Sequence, residues 1–503
     1  MSDILITDSI STTEKFFDTI CETEVEQDIL LADYDKAVFK IVKTNIEHII
    51  TQKYINGNKL VIEGFFRISV FYQPPQGANI TVITKKQPFQ KQLDMSSAVT
   101  GHHFISVTGR TQYVNTRAVN SSRISVNGVY SFAIKAYTAQ QLPVITAINS
   151  PSVCTDSREI TGFSLCGSAI KQFSMEDETD IPRQTEKILG ISAHNTNMTV
   201  QVYRDRINIK GYVTADIAYT VPDNNDILHL KKNFAYNQVV DISGTDEKNA
   251  AYADLSVISF TVTQNEDTKK INCILTAQLD VKTFRRESVF TALDAFSKKY
   301  EYSSEKKTIA YSENIQSLNK NLRYTIEDVI GTGYTPVHHF INISAPYLSA
   351  DMGSNILKSK LTVSAIVKNS QNEYECFTKS RDITVDAGTE INSDDELLLT
   401  CQPVEANTAI SEDILRANVS IGLSGYIIRK KEISVISLFT EDTEKPVIRQ
   451  PDALILYYGK KGEKVFDIAM RYRTDISVIT AENNLESDIL YEDRMLIIPA
   501  FGM

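Results

Sequence analysis

The chain has 503 residues, which at about 150 residues per domain predicts three or four domains. Its formal charge is −11, from 52 Lys and Arg against 63 Asp and Glu, a balance unsuited to binding nucleic acid phosphates. Because 42% of the residues are hydrophobic and Gly (20) and Pro (13) are few, the composition excludes wholesale disorder and collagen-like or Pro-rich architectures.

Residues 1–36 form an acidic segment at the start of the chain. Ten acidic residues and two Lys give it −8 of the total −11. Phe16, Phe17, Ile20 and Val25 form a weak helical apolar stripe. We interpret the segment as an acidic arm that either keeps the protein soluble or docks on a basic surface. It has neither a basic start nor an apolar core, so we expect no secretion signal and a chain that begins in the cytoplasm.

An internal repeat organises the body of the chain. A stretch of 33 residues from Lys40 aligns without a gap on the stretch from Lys187, an offset of 147 residues that places Gly64 on Gly211. A third, more divergent copy begins near residue 328 and has Ser359 where the other copies have Gly. Constant spacing over this distance indicates tandem copies of one domain.

Within each copy, apolar and polar residues alternate, which is typical of half-buried antiparallel strands. The predicted fold is mainly β: three tandem β-sandwich-like repeats at 37–145, 180–290 and 325–440, followed by a small α+β domain at 451–500. The segments 140–180, 285–325 and 440–450 are interpreted as linkers, with a short helix or an irregular crossover over 288–300. We expect Gly64 and Gly211 to mark bulges or close backbone contacts rather than ligand sites.

The last 53 residues follow a different pattern. A strand over 454–458, helices over 465–472 and 476–482 and a final strand over 495–498 are predicted, with Asn483 and Asn484 ending the second helix. This βααβ order, together with Gly462-Glu463, Ile468-Ala469 and Leu496-Ile497-Ile498-Pro499, closely resembles a LysM domain. The resemblance implies binding of N-acetylglucosamine polymers in a groove between the first strand–helix loop and the second helix–strand loop.

The residues that the LysM resemblance places at this groove are Gly462, Glu463, Lys464, Val465, Phe466, Leu485, Asp488, Ile489, Leu490, Tyr491, Glu492 and Asp493. One departure matters: LysM domains usually have Pro-Gly just before the last strand, and this chain has Glu492-Asp493. With Asp488, these carboxylates should weaken binding to a polyanionic wall and suit a basic protein surface better.

Three β-rich repeats followed by one LysM domain resemble the SipL-like family of SPOCS-domain spore proteins. The resemblance also rests on the lead-in EQDILLADYDKAVFKIV, on IEG at 62–64 with IKG at 209–211, and on DAFS at 294–297. It implies a non-enzymatic spore-coat morphogenetic protein in the mother-cell cytoplasm at the forespore surface, later in the coat. Its implied partners are a coat scaffold ATPase of the SpoIVA type, contacted by the LysM domain, and other coat proteins or further copies of itself.

Motifs for chemistry are scarce in the sequence. No P-loop, GxSxG, HExxH or GxGxxG pattern occurs, so we expect no enzyme, no catalytic residues and no cofactor. The six Cys are scattered and form no CxxC, and adjacent His on a strand point to opposite faces, so we also expect no metal site at the pairs His102-His103 and His338-His339. No apolar run is long enough to cross a membrane.

Three functions stay open on the sequence. The first is a coat adaptor that docks through its LysM domain and recruits coat through its repeats. The second is a LysM-mediated peptidoglycan-binding protein of the cortex or wall. The third is a self-assembling spore-surface layer or fibre, in which the acidic arm donates a strand through Val25, Ile29 and Leu30.

Overall fold

The computed structural model describes residues 5–75, 79–96, 98–99, 101–183, 185–221, 227–265, 269–349, 355–447 and 455–499. Within these residues the chain forms three similar β units followed by a small α+β domain. We refer to residues 5–148, 153–297 and 300–446 as the first, second and third units. The mainly-β prediction is therefore confirmed, as is the βααβ domain at the end of the chain.

The first unit contains two three-stranded antiparallel sheets, in the orders β1-β6-β5 and β2-β3-β4. Its apolar residues alternate along the strands, and the two sheets bury them between each other in a sandwich core. The strands are β1 (Leu5–Leu30), β2 (Lys40–Asn56), β3 (Lys59–Gln73), β4 (Thr81–Asp94), β5 (His103–Asn120) and β6 (Arg123–Ile148).

The second and third units repeat this arrangement. In the second unit the sheets are β11-β12-β7 and β10-β9-β8, from the strands β7 (Val153–Asp180), β8 (Lys187–Tyr203), β9 (Arg206–Thr220), β10 (Ile227–Asp241), β11 (Ala250–Asn265) and β12 (Lys270–Ser297). The strands of the third unit are β13 (Tyr300–Val329), β14 (Thr335–Ile343), β15 (Tyr347–Leu348), β16 (Ile356–Lys368), β17 (Tyr374–Asp386), β18 (Glu396–Ser411) and β19 (Ile414–Pro446). In one sheet β13 and β18 flank β19, and in the other β14, β15 and β17 pair with β16.

The pairing corrects the interpretation of the acidic segment and of the linkers. Residues 5–30 form the 26-residue strand β1, paired with β6 along its length, and not a separate arm with a helical stripe. The strands β7 and β13 hold the same place in the other units, so most of the segments 140–180 and 285–325 are strand, with no helix over 288–297. Each unit thus begins earlier than the repeat alignment indicates, because its first strand pairs with its last.

Strand donation by β1 also has a structural cost. Val25 and Ile29 are fully buried in the first unit's core, and their backbones pair with Gly128 and Ile124. Donating this segment to another chain would therefore require β1 to leave its own unit.

Gly64 and Gly211 have the structural role that the sequence indicates. A Cβ added at Gly64 would lie 2.0 Å from the carbonyl oxygen of Ile49, next to a register shift in β2. One added at Gly211 would lie 2.6 Å from the Tyr236 hydroxyl. At Gly64 the neighbouring backbone leaves no room for a Cβ, whereas at Gly211 the Tyr236 side chain would have to shift to admit one.

The three units pack against one another around a shared centre. Each short sheet begins with one bulged residue, and these residues meet in a common apolar cluster whose members include Val42, Leu189 and Val337 from the bulges and Phe71, Ala218 and Ile366 from the central strands. The long strands form a second shared cluster from Ile10, Val144, Ile160, Val289, Ile309, Tyr311 and Val435. Residues about 147 apart thus occupy equivalent places around the centre.

The C-terminal domain pairs β20 (Ile455–Gly459) with β21 (Arg494–Ile498) and places α1 (Val465–Tyr472) and α2 (Ile476–Glu482) against them. Both helices begin and end where the sequence predicts. The Asp475 side chain accepts a hydrogen bond from the Ser477 backbone at the start of α2, and Asn484 takes the left-handed conformation (φ 48°) after its end.

Candidate functional site

The two loops predicted to form the groove are joined by their own backbone hydrogen bonds. The amide of Gly462 donates to the carbonyl of Leu490 (2.8 Å), and the amide of Leu490 donates to Glu463 (3.0 Å). The amide of Val465 donates to Asp488 (2.9 Å). The structure therefore brings the predicted residues of both loops together, but uses these backbone donors within the domain.

Two of the acidic residues brace these loops. Asp493 accepts a hydrogen bond from the Lys461 amide (2.7 Å). Glu463 accepts from the Lys460 amide (3.1 Å) and from the Tyr457 hydroxyl (2.5 Å), and this bond raises the pKa of Tyr457. Because their carboxylates hold the first loop in place, Asp493 and Glu463 have a structural role.

Three predicted groove side chains belong to the domain core. Val465, Phe466 and Leu490 are 0%, 6% and 3% exposed. Their apolar side chains fill the space between the helices and β21, so they cannot present themselves to a partner in this conformation. Leu485 is half-buried against the same core, and Lys464 pairs with Ile489 in an isolated backbone bridge.

The side of the domain that carries Phe466 packs on the second unit. The rings of Phe466 and Phe296 meet edge to face with 5.4 Å between centroids, and Cys154 joins the same cluster. Lys464 lies 3.4 Å from the carboxylate of Asp156. One end of the predicted groove is therefore covered by the body of the molecule.

Charged contacts strengthen this junction. Lys298 forms an ion pair with Asp475 at 2.7 Å, and hydrogen bonds from Lys298 and Ser477 lower the pKa of that carboxyl. The Arg473 guanidinium donates to the carbonyls of Ser297 and Tyr300, both at 2.9 Å, and lies over the ring of Tyr302. No local sequence pattern predicts this junction, because every contact joins residues more than 150 positions apart.

What remains open to solvent is an apolar centre with an acidic rim. We name Asp488, Ile489, Tyr491 and Glu492 the exposed LysM edge. Tyr491 is 75% exposed and Ile489 45% exposed. Among the described residues, the carboxylates of Asp488 and Glu492 have no hydrogen-bond or ion-pair partner, unlike those of Glu463 and Asp493.

A second exposed surface lies on the two-stranded sheet of the same domain. Tyr458 and Met495 are cross-strand partners, and both are 58% exposed. Leu456, on the same face, is 60% exposed. These residues are not among the groove residues predicted from the sequence, although the period-two alternation of this short strand places Leu456 and Tyr458 on one face.

The described residues offer little for other chemistry. They contain no group of three or more His, Cys, Asp or Glu placed to hold a metal ion. All six cysteines are free, and burial raises the pKa of the Cys401 thiol to about 11, which disfavours the reactive thiolate. Within the residues that the structure describes, no helix is long and apolar enough to cross a membrane.

Comparison with protein families assigns these domains. The SipL, SPOCS domain family matches residues 37–119 and 184–265, and the LysM domain family matches residues 460–499. The chain therefore contains two SipL-type SPOCS domains and one LysM domain. Curated proteins give no match to it, and neither do solved structures.

The two SPOCS matches fall in the first two units of the chain. The third unit shares their strand order, so the divergent third copy predicted from the sequence is present as a fold. SPOCS and LysM are binding domains without catalytic function, and their combination supports a sporulation protein associated with the spore coat. The LysM domain is of a type that binds glycans such as peptidoglycan.

Proposed function

We propose that this protein is a coat-assembly adaptor whose exposed LysM edge docks on a coat scaffold ATPase of the SpoIVA type. The observation that carries the proposal is the edge itself: exposed Tyr491 and Ile489, flanked by the unpartnered carboxylates of Asp488 and Glu492. An aromatic centre within a charged rim is the usual anatomy of a protein interface. The acidic rim favours a basic partner surface over a polyanionic wall.

The junction of the LysM domain with the second and third units supports an adaptor. Because Phe466, Lys464 and Arg473 hold the LysM domain on the body, docking at the edge would fix the orientation of all three SPOCS-like units. The units would then present their outer strands to further coat proteins or to other copies of the chain, in the mother-cell cytoplasm at the forespore surface.

The test uses the full chain and the purified scaffold ATPase, with affinity measured by interferometry. The double reversal Asp488→Lys/Glu492→Lys should weaken binding at least tenfold. Asp493 is left intact, because it braces the first loop. The control Glu432→Lys/Glu444→Lys makes the same charge change at exposed sites of the third unit and should leave the affinity unchanged. Equal affinities of both double variants would refute docking through this edge.

Glycan binding is the second candidate, and the exposure of Tyr491 favours it, since an exposed aromatic ring can stack on a sugar. Here the full chain should sediment with purified peptidoglycan, and Tyr491→Ala should abolish sedimentation while the double charge reversal leaves it intact or strengthens it. Failure of the native chain to sediment would eliminate this candidate.

A further inference from the structure

A cavity of about 710 Å³ opens where the short sheets of the three units meet. Its walls come from β2 to β4 of the first unit, β8 to β11 of the second, and β14 and β18 of the third. Phe71, Leu189 and Phe340 belong to the apolar cluster at its base. A volume of this size at a junction between domains is typical of small-molecule sites.

Histidines are concentrated in this cavity. Four of the seven His in the chain line it, namely His194, His229, His338 and His339. The Nδ1 atom of His229 lies 3.0 Å from the carboxylate of Asp216 and interacts with it. No hydrogen bond involves the His194 or His339 side chain within the described residues, and the buried Nδ1 of His338 has no partner.

The ring of His338 is fixed although this nitrogen is unsatisfied. It stacks on Phe71 with 5.9 Å between centroids and meets Phe340 edge to face at 4.8 Å. Its other nitrogen lies over Gly190, where an added Cβ would come within 2.7 Å. A buried polar atom without a partner is costly, and a ligand group would remove that cost.

The formal charges around the cavity are largely paired. Arg67 pairs with Glu47 at 3.2 Å, and Lys231 of the second unit pairs with Glu405 of the third at 3.1 Å. Lys231 and Glu405 are 57% and 64% exposed, so this pair is weak and Lys231 can turn to another anion. The binding capacity left over is therefore a set of imidazole N–H donors and the ammonium groups of Lys231 and Lys86 above apolar walls.

We propose that this cavity binds a small organic anion, with its charged group held by the unpartnered imidazoles and Lys231 and its apolar part against Phe71 and Phe340. The site is independent of LysM docking and uses residues from all three units. Its occupant would tie the units together, because binding to the assembled junction stabilises it over the open one.

The test is titration calorimetry of the full chain with benzoate as the probe, benzamide as its neutral counterpart and acetate as an anion without a ring. Benzoate should bind saturably, and both other compounds at least tenfold more weakly. His339→Ala and Lys231→Met should each weaken the binding of benzoate at least tenfold. His102→Ala, at an exposed site of the first unit, is the matched control and should change nothing.

Several outcomes would overturn the proposal. One is the absence of benzoate binding up to about 10 mM, a limit that corresponds to a free energy weaker than about −3 kcal/mol. Others are benzamide or acetate binding as well as benzoate, and pocket variants that bind like the native chain. Because Lys231 is more than half exposed, Lys231→Met should fold. It therefore tests the proposal even where His339→Ala fails to fold.

Discussion

His48 illustrates how tertiary packing sets the chemistry of a single residue. It lies on β2, with its ring 5.3 Å from that of Tyr130 and 5.5 Å from that of Phe132. Its Nδ1 and the Tyr130 hydroxyl share a hydrogen bond of 2.7 Å. Burial lowers the pKa of His48 to about 4 and raises that of Tyr130. The ring is therefore neutral in the folded protein over the physiological range.

This shift predicts acid sensitivity. Between pH 6.5 and 4 the unfolded chain binds a proton at His48 that the folded chain does not. The contribution of neutral His48 to the free energy of unfolding is therefore present above pH 6.5 and is lost as the pH falls. From pH 7 to pH 5 the native chain should lose about 2 kcal/mol more unfolding free energy than His48→Phe, measured by urea denaturation. His102→Phe, at an exposed position, is the control and should follow the native pH dependence. A His48→Phe curve parallel to the native curve would contradict the assignment.

At the scale of the element, β1 shows how a charged run can be a strand. Glu22, Glu24, Glu26 and Asp28 point to solvent, while Val25 between them is buried. The alternation is present in the sequence, but the high charge density favoured the interpretation as a solvated arm. Its partner strand, which provides the hydrogen bonds and the core, lies about 100 residues away and is invisible to a local pattern.

Two isoleucines on β1 give a matched test. Ile29 is 0% exposed and Ile20 is 71% exposed. Ile29→Ala should cost about 2–5 kcal/mol of unfolding free energy, because it removes buried methyl groups and leaves a cavity. Ile20→Ala should stay within about 0.5 kcal/mol of the native value. Denaturant unfolding of both variants checks this, and equal, small effects would mean that β1 is a loose arm after all.

At the scale of the whole molecule, a buried charge cluster links the units. Asp280 of the second unit pairs with Lys53 of the first and lies 3.2 Å from Lys282. Burial opposes ionisation of Asp280, yet the two ammonium groups lower its pKa to about 2. Burial also lowers the pKa of Lys282 and raises that of the neighbouring Asp254. The cluster thus depends on the Asp280 carboxylate, which joins ammonium groups of two units.

Removing that charge should destabilise the assembly of units. Asp280→Asn leaves two buried ammonium groups without their carboxylate and should cost about 3–5 kcal/mol of unfolding free energy. The control is Asp177→Asn. Asp177 forms an ion pair with Lys232 at 2.8 Å and is 47% exposed, so its loss should cost at most about 1 kcal/mol of unfolding free energy. Thermal unfolding of both variants compares them. Similar melting temperatures would argue against a stabilising role for the cluster.

Features that depend on local pattern can be predicted from the amino-acid sequence. The 147-residue repeat, the alternating strands and both helices of the LysM domain follow from side-chain periodicity. The ends of α2 also follow from Asp475 and Asn484, which act within a few residues. Glu492 of the exposed LysM edge was also predicted from the sequence, because together with Asp493 it stands where LysM domains usually have Pro-Gly.

The remaining features depend on how the chain packs in three dimensions. It placed β1, β7 and β13 inside their units, buried Phe466 against Phe296, and assigned Asp493 to the loop while leaving Asp488 and Glu492 free. It also gathered four histidines from two units into one cavity. The physical reason is the same in each case: the deciding partner lies tens to hundreds of residues away, and a side chain's exposure and pKa are properties of the packed neighbours that a local pattern does not contain.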